Sequence, residues 1–336
     1  FKYLNDQGNE DGFLAERGAV RDGLLTLDDG FDVPLADVSR AVVRQNRLVL
    51  TVLTGGGRTE TLALALKSGP GGGREAAEGL KRRIDRVVSS RRAAWRLGVL
   101  REEGRESVFR ASTCGHCGST VDLTGFARTP QVYCPCCDAV GMTRDADADA
   151  DTCDVASAPD DGADYQRCDG CAYYSRTGAH LAPGAVVTPG RSLLCQPCTR
   201  GRTWAAFWGN GLSRFGVRLP LSRLARAYSG AGPARTSALD GLDVANAHAR
   251  QGRPEAAESL YQEILARAPH AAGVHFNRAL VRSTVGDWAG CLDAVKASWA
   301  DCSNYTPALT LAMKSLKALG RDAEADTLKA RWAAAR

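Results

Sequence analysis

The sequence predicts a multidomain α+β chain: a β-rich N-terminal region closed by a helix, a cysteine-paired middle and an all-α repeat region at the end. Three observations carry that expectation. Residues 13–105 hold short β-rich runs punctuated by "DDG" and "GGG", then one long amphipathic run. Eight of the twelve cysteines fall as four C-x2-C pairs between residues 114 and 198. Gly252, Gly286 and Gly320 recur at an interval of 34 residues, a period that marks stacked helical repeats. A chain of 336 residues suits roughly two to four domains, because single cores rarely keep growing at that length. It opens on Phe1 rather than methionine, so an upstream piece is expected. The longest apolar runs, such as "LVLTVL" at 48–53, fall far short of the ~20 residues that cross a bilayer, so no transmembrane segment is expected.

Within 1–105, "AVRDGLLTLDD", "DVPLADVSRAVVRQ" and "NRLVLTVLTGGGRTETLALAL" read as a strand meander. The following "REAAEGLKRRIDRVVSSRRAAWRLGVL" reads as a helix. Ala76, Leu80, Ile84, Val87 and Val88 form one apolar stripe, and Lys81, Arg82, Arg83, Arg86, Arg91 and Arg92 take the remaining faces. The "VPLADV" segment at 33–38, the long hairpin and the closing helix together resemble the pleckstrin-homology-like (PH-like) fold over about ninety residues. That resemblance implies a PH-like β-barrel with a capping helix, binding a protein or a phosphoinositide. The early segment "FKYLNDQGNEDGFLAERGAVRDG" is as acidic as it is basic, which puts phosphoinositide binding in doubt and favours protein contact. The arginines of the helix read as its solvated face. "GPGGG" at 69–73 lacks the GK[ST] ending of a phosphate-binding loop and reads as a connection.

Cys114, Cys117, Cys134 and Cys137 give C-x2-C-x16-C-x2-C, and Cys168, Cys171, Cys195 and Cys198 give C-x2-C-x23-C-x2-C. Two residues between cysteines let both sulfurs point at one ion, and four thiolates satisfy the tetrahedral preference of zinc. Both sets resemble zinc ribbons, at 108–142 and 165–200, each expected as a β-hairpin module, with "TVDL" and "QVY" as strands of the first. Two structural zinc ions follow, with no open coordination position for Lewis-acid chemistry. A redox C-x2-C needs a βαβ context, which none of the pairs has. Using Cys136 as a ligand would break the spacing, and His116 reads as a solvent-facing knuckle residue. Cys153, Cys291 and Cys302 have no partner at motif spacing and read as ordinary thiols. Thiols clustered for metal rather than disulfides point to a reducing, cytoplasmic location.

Residues 143–164 carry Asp145, Asp147, Asp149 and Asp151 alternating with alanine. The run lacks the central glycine and terminal glutamate of a calcium loop, so it reads as a solvated acidic linker. From Gly170 through Leu239 there is no Asp or Glu. Within this stretch the connector at 201–238 interleaves Arg202, Arg214 and Arg218 with Trp204 and Trp208, and it is a candidate partner-binding segment. It reads first as an internal or protein-docking surface. The rival reading is a nucleic acid site, with arginines on phosphates and aromatics as stacking platforms.

Residues 239–336 repeat the pattern of "RQGRPEAAESLYQEIL" three times, with Ala257, Cys291 and Ala325 each five residues past a turn glycine. The period resembles that of tetratricopeptide repeats (TPR), which implies an all-α TPR-like array with a concave groove for an extended segment or helix of a partner. Asn246 and Asn277 fall where that family's carboxylate clamp has its asparagines. The clamp's basic partners would fall at Leu242, Pro307 and Leu311, which cannot grip a carboxylate, so the two asparagines are expected to bond a partner's backbone or to sit polar on their helix.

No histidine lies in a metal or base motif, and no catalytic constellation is present in the sequence. The expectation is a non-enzymatic adaptor or scaffold that binds protein partners through the repeat groove and the PH-like domain, with zinc ribbons holding the middle together. The alternative is a nucleic-acid-associated factor using ribbons and connector.

Overall fold

A computed structural model describes residues 2–3, 18–21, 23–27, 32–44, 47–54, 58–66, 73–143, 152–154, 165–168, 170–176, 194–210 and 238–335. The chain is mixed α+β, with small sheets first and helices last. Strands β1 (Lys2–Tyr3), β2 (Gly18–Arg21), β3 (Leu24–Leu27), β4 (Asp32–Pro34), β5 (Val38–Arg44), β6 (Arg47–Thr54) and β7 (Arg58–Ala65) precede helix α1 (Gly73–Glu102). They form two sheets, in the orders β2-β3-β4 and β1-β7-β6-β5. Alternate residues face inward along each strand. Leu25, Leu27, Leu48, Leu50 and Leu64 therefore meet Val33, Leu35 and Val38 in one core, which Ala77 and Ile84 of α1 cover.

Among the described residues these sheets are not joined into the closed barrel that was expected. The break falls after β4. Pro34 has no N–H to continue a ladder, and a turn closed by Asp37 N–H donating to the Pro34 carbonyl at 2.9 Å carries the chain into the second sheet. Among the described strands the two sheets are not paired with each other and share a core of side chains.

The first cysteine module is a five-stranded sheet in the order β10-β11-β12-β8-β9, from β8 (Ala111–Cys114), β9 (Thr120–Asp122), β10 (Gln131–Tyr133), β11 (Val140–Thr143) and β12 (Thr152–Asp154). "TVD" and "QVY" are strands as expected, but not of one hairpin. Each C-x2-C pair is itself the turn of its own hairpin, β8–β9 and β10–β11. The two hairpins are joined by β12, antiparallel to β11 and parallel to β8, which comes from the stretch expected to be linker. Cys153 lies in that strand, paired with Thr143 and Cys114. The rest of the acidic run lies outside the described residues.

The second module pairs β13 (Tyr165–Arg167) with β14 (Tyr174–Arg176) around Cys168 and Cys171, and its other cysteine pair opens α2 (Gln196–Asn210). Six further helices follow among the described residues: α3 (Leu242–Arg250), α4 (Pro254–Arg267), α5 (Ala272–Thr284), α6 (Trp288–Asp301), α7 (Pro307–Ala318) and α8 (Asp322–Ala334). Gly252, Gly286 and Gly320 turn the chain between the members of each pair at φ of +70°, +78° and +71°, a region that costs any L side chain about 1–2 kcal/mol. Ala257, Cys291 and Ala325 are wholly buried, as close helix approach requires. Among the described residues no helix is long and apolar enough to cross a membrane.

Candidate metal centres and the groove beside them

The residue after the second cysteine decides how each knuckle closes. Gly118, Asp138 and Ala172 adopt φ of +72°, +59° and +64°. This lets the N–H groups of Gly118, Asp138 and Ala172 donate back to the carbonyls of Cys114, Cys134 and Cys168 at 2.7, 2.9 and 2.9 Å. The first cysteine of each pair is then tied across the turn: Cys114, Cys134 and Cys168 N–H donate to Ser119, Ala139 and Tyr173 carbonyls at 2.9, 2.8 and 2.9 Å. The fourth pair is held differently, by the first turn of α2, where Thr199 N–H donates to the Cys195 carbonyl at 3.0 Å.

These turns bring the eight expected sulfurs into two groups of four, Cys114, Cys117, Cys134 and Cys137, and Cys168, Cys171, Cys195 and Cys198, with all sulfurs of a group within 4.8 Å of one another. Measured edges are 3.7 Å for Cys114–Cys137, 3.6 Å for Cys117–Cys134 and 3.8 Å for Cys171–Cys195. A tetrahedron with zinc–sulfur bonds of about 2.3 Å has edges of about 3.8 Å, so both groups fit such an ion. Backbone donors support the second: Gly170 N–H and Cys195 N–H each point at Cys168 Sγ from 3.3 Å. Crowding divides the thiols of each group: the shared hydrogen bonds push Cys134, Cys137 and Cys195 up, and burial pushes Cys198 up, while one thiol in each group is driven far down. Hydrogen bonds from Cys114, Cys134 and Cys137 hold the Cys117 thiol far below its ordinary pKa, and those from Cys171 and Cys195 do the same for Cys168. Cys136 and the exposed His116 stand outside both groups.

Asn246 and Asn277 do not face a free groove. Both are completely buried, and the group they hold is the backbone of Tyr174 in β14. Tyr174 N–H donates to Asn277 Oδ1 at 2.7 Å, and Asn277 Nδ2 donates to the Tyr174 carbonyl at 2.7 Å. Asn246 Nδ2 donates to the same carbonyl at 2.9 Å, while Tyr261 Oη donates to Asn246 Oδ1 at 2.7 Å. The expectation that these asparagines bind another protein is corrected accordingly: a strand of the chain itself has taken their hydrogen bonds.

The same device recurs at the first module. Tyr133 N–H donates to Asn304 Oδ1 at 2.9 Å, and Asn304 Nδ2 donates to the Tyr133 carbonyl at 2.8 Å. Next to it, Gln131 Nε2 donates to the His270 carbonyl and its Oε1 accepts from Ala272 N–H, each at 2.9 Å, which satisfies an open donor in the first turn of α5. Sequence reasoning missed Asn304 and Gln131. Asn246 and Asn277 lie six and nine residues before their turn glycines, whereas Asn304 lies sixteen before Gly320, so the repeat did not point to it.

The connector is reached only in part. Trp204 sits on α2 and is 37 % exposed. Arg202 and Trp208 belong to the same helix, with side chains outside the described residues, and Arg214 and Arg218 lie wholly outside them.

No family model matches this chain, and no curated protein matches it. Among solved structures, a MamA mutant is similar at 15 % identity and a TM-score of 0.26, covering 43 % of this chain and 98 % of that one. A MamA AMB-1 structure is similar at 16 % identity and a TM-score of 0.25, covering 41 % of this chain and 72 % of that one. Likeness at that level carries no argument about fold or function, which rest on the geometry above.

Proposed function

We propose that this chain is a non-enzymatic, zinc-organised scaffold in which a TPR-like array grips the two cysteine modules and presents their combined outer surface to protein partners. The observation that carries this reading is the set of paired amide contacts from Asn246, Asn277 and Asn304 to the backbones of Tyr174 and Tyr133. Side-chain amides here replace a neighbouring strand, a use of backbone reading that elsewhere serves peptide recognition. Zinc is the ion the tetrads suit, and its role is structural: four protein sulfurs leave no position for water or substrate. Each ion substitutes for the apolar core that such short hairpins cannot assemble.

Metal analysis of the purified chain tests the reading. Two zinc ions per chain are expected, in line with the two tetrads. Partner proteins captured from native lysate should remain after nuclease treatment and be lost after chelation. A folded chain without metal, or capture that disappears with nuclease alone, would overturn it.

A further inference from the structure

Arg250 is the last residue of α3, four residues beyond Asn246, so the two side chains share one face of that helix. Asn246 holds the Tyr174 backbone and the Ser175 hydroxyl. Arg250 Nη1 lies 3.5 Å from Cys171 Sγ and 3.9 Å from Cys195 Sγ, bridging one sulfur from each cysteine pair of the second tetrad. Arg250 is half-buried. At the first tetrad the neighbouring cations reach backbone instead: Arg86 Nε donates to the Cys117 carbonyl at 2.6 Å and Lys81 Nζ to the Cys136 carbonyl at 3.1 Å. The two sites therefore differ in what surrounds their sulfurs.

We infer that Arg250 is an outer-sphere partner of the metal held by Cys168, Cys171, Cys195 and Cys198, which makes the helical array part of that metal site. The inference rests on the zinc reading above. Four thiolates around a divalent ion leave a net charge of −2, and that charge, half removed from water, needs a cation or N–H donors near the sulfurs. Arg250 supplies a permanent cation and a directed N–H donor from outside the module. Because one helical face holds both the strand and the sulfurs, metal binding and the seating of β14 in the groove stabilise each other. By linkage the coupling is reciprocal: the factor by which bound metal favours the seated strand equals the factor by which the seated strand favours the metal.

The test uses the whole 336-residue chain, loaded with zinc. A competing chelator is titrated in, and each cysteine set is followed by alkylation and peptide mass spectrometry, so the two sites are read separately. Arg250→Gln should expose the Cys168–Cys198 set at roughly 10–100-fold lower chelator strength, the usual range for losing an outer-sphere partner. The Cys114–Cys137 set should stay within about twofold of the wild type. Arg250→Lys, which keeps the charge but not the planar fork, should fall between the two. Hydrogen exchange in residues 165–176 should quicken in Arg250→Gln at limiting zinc and return to the wild-type rate at saturating zinc, which general damage to the array would not allow. Unchanged release from the second set, or equal weakening of both sets, overturns the role of Arg250 while leaving the zinc reading intact. A wild-type chain that holds no metal removes both.

Discussion

Asn277 Oδ1 and Nδ2 engage the N–H and the carbonyl of one residue, Tyr174, at 2.7 Å each, in a place from which water is excluded. A backbone N–H buried there has no substitute acceptor once the side chain is shortened. Asn277→Ala is therefore expected to cost about 1–3 kcal/mol, the penalty for leaving a buried polar group unsatisfied. Urea unfolding of the zinc-loaded chain measures it, with the exposed Val244→Ala as the neutral control; a loss no larger than the control's would remove the clamp from this account. The ring of Tyr174 is held as closely as its backbone. A Cβ on Gly273 would stand 2.3 Å from that ring, so glycine at the start of α5 is what lets the tyrosine seat against the helix. The phase of Asn246 and Asn277 in the repeat was legible in the sequence, yet their occupant was not. Asn246 and the Tyr174 carbonyl are separated by 72 residues, and pattern reading has no access to a contact of that range. The eight sulfur positions were legible because chelate spacing is local.

At the scale of elements, the same locality separates what could be read from what could not. A run such as "QVY" announces a strand, but alternation does not name the strand it pairs with: the sequence suggests a hairpin between the cysteine pairs, and the hairpins lie around them. The strand β12 was hidden for a related reason: "TCD" at its position is short and follows an acidic run, and only its two neighbours make it a strand. The knuckles also carry an element-level cost. Three of them need a residue in the left-handed region, and the sequence supplies Gly118, Asp138 and Ala172. Glycine adopts that geometry freely. Asp138 is recruited by the Tyr133 hydroxyl, which donates to its Oδ1. Ala172, at φ +64°, has only its Cβ to accommodate, at about 1–2 kcal/mol. Ala172→Gly should therefore stabilise the second module by up to about 1 kcal/mol, after the extra entropy that glycine gives the unfolded chain is subtracted. Thermal unfolding of the zinc-loaded chain is the measurement, and a fall in its midpoint would show that the positive φ is not strained here.

For the whole molecule, the described apolar side chains define two large units, with two small clusters at the cysteine tetrads, rather than one core per predicted module. Leu25, Leu48, Leu64 and Ile84 belong to a core confined to the N-terminal sheets and α1. Tyr133, Val140, Tyr173 and Tyr174 of the cysteine modules join Tyr261, Phe276, Val295 and Tyr305 of the array in a single second core. Edge-to-face packing ties that core together, with ring centroids 5.3 Å apart for Tyr133–Tyr305 and 5.6 Å for Phe276–Tyr305. Helix α1 reaches across from the first unit, and Thr120 N–H donates to its Ser89 Oγ at 3.0 Å. With Arg86 on the Cys117 carbonyl and Lys81 on the Cys136 carbonyl, that bridge is polar, whereas the contact of the cysteine modules with the array adds a shared apolar core to its hydrogen bonds. Removing metal should consequently be felt unequally. When the cysteine modules lose their ions, Tyr133 and Tyr174 lose the hairpins that aim them, and the array is left with buried asparagines and an open apolar face that water must enter. Segment-resolved hydrogen exchange before and after chelation is the measurement. Exchange in α5 and α6 should accelerate together with β10 and β14, while β5, β6 and β7 keep their protection. If the array helices hold their protection with the metal gone, the modules are cargo on a self-sufficient solenoid. If the N-terminal strands loosen as well, the two cores form one cooperative unit through α1, and the separation argued from their side chains fails.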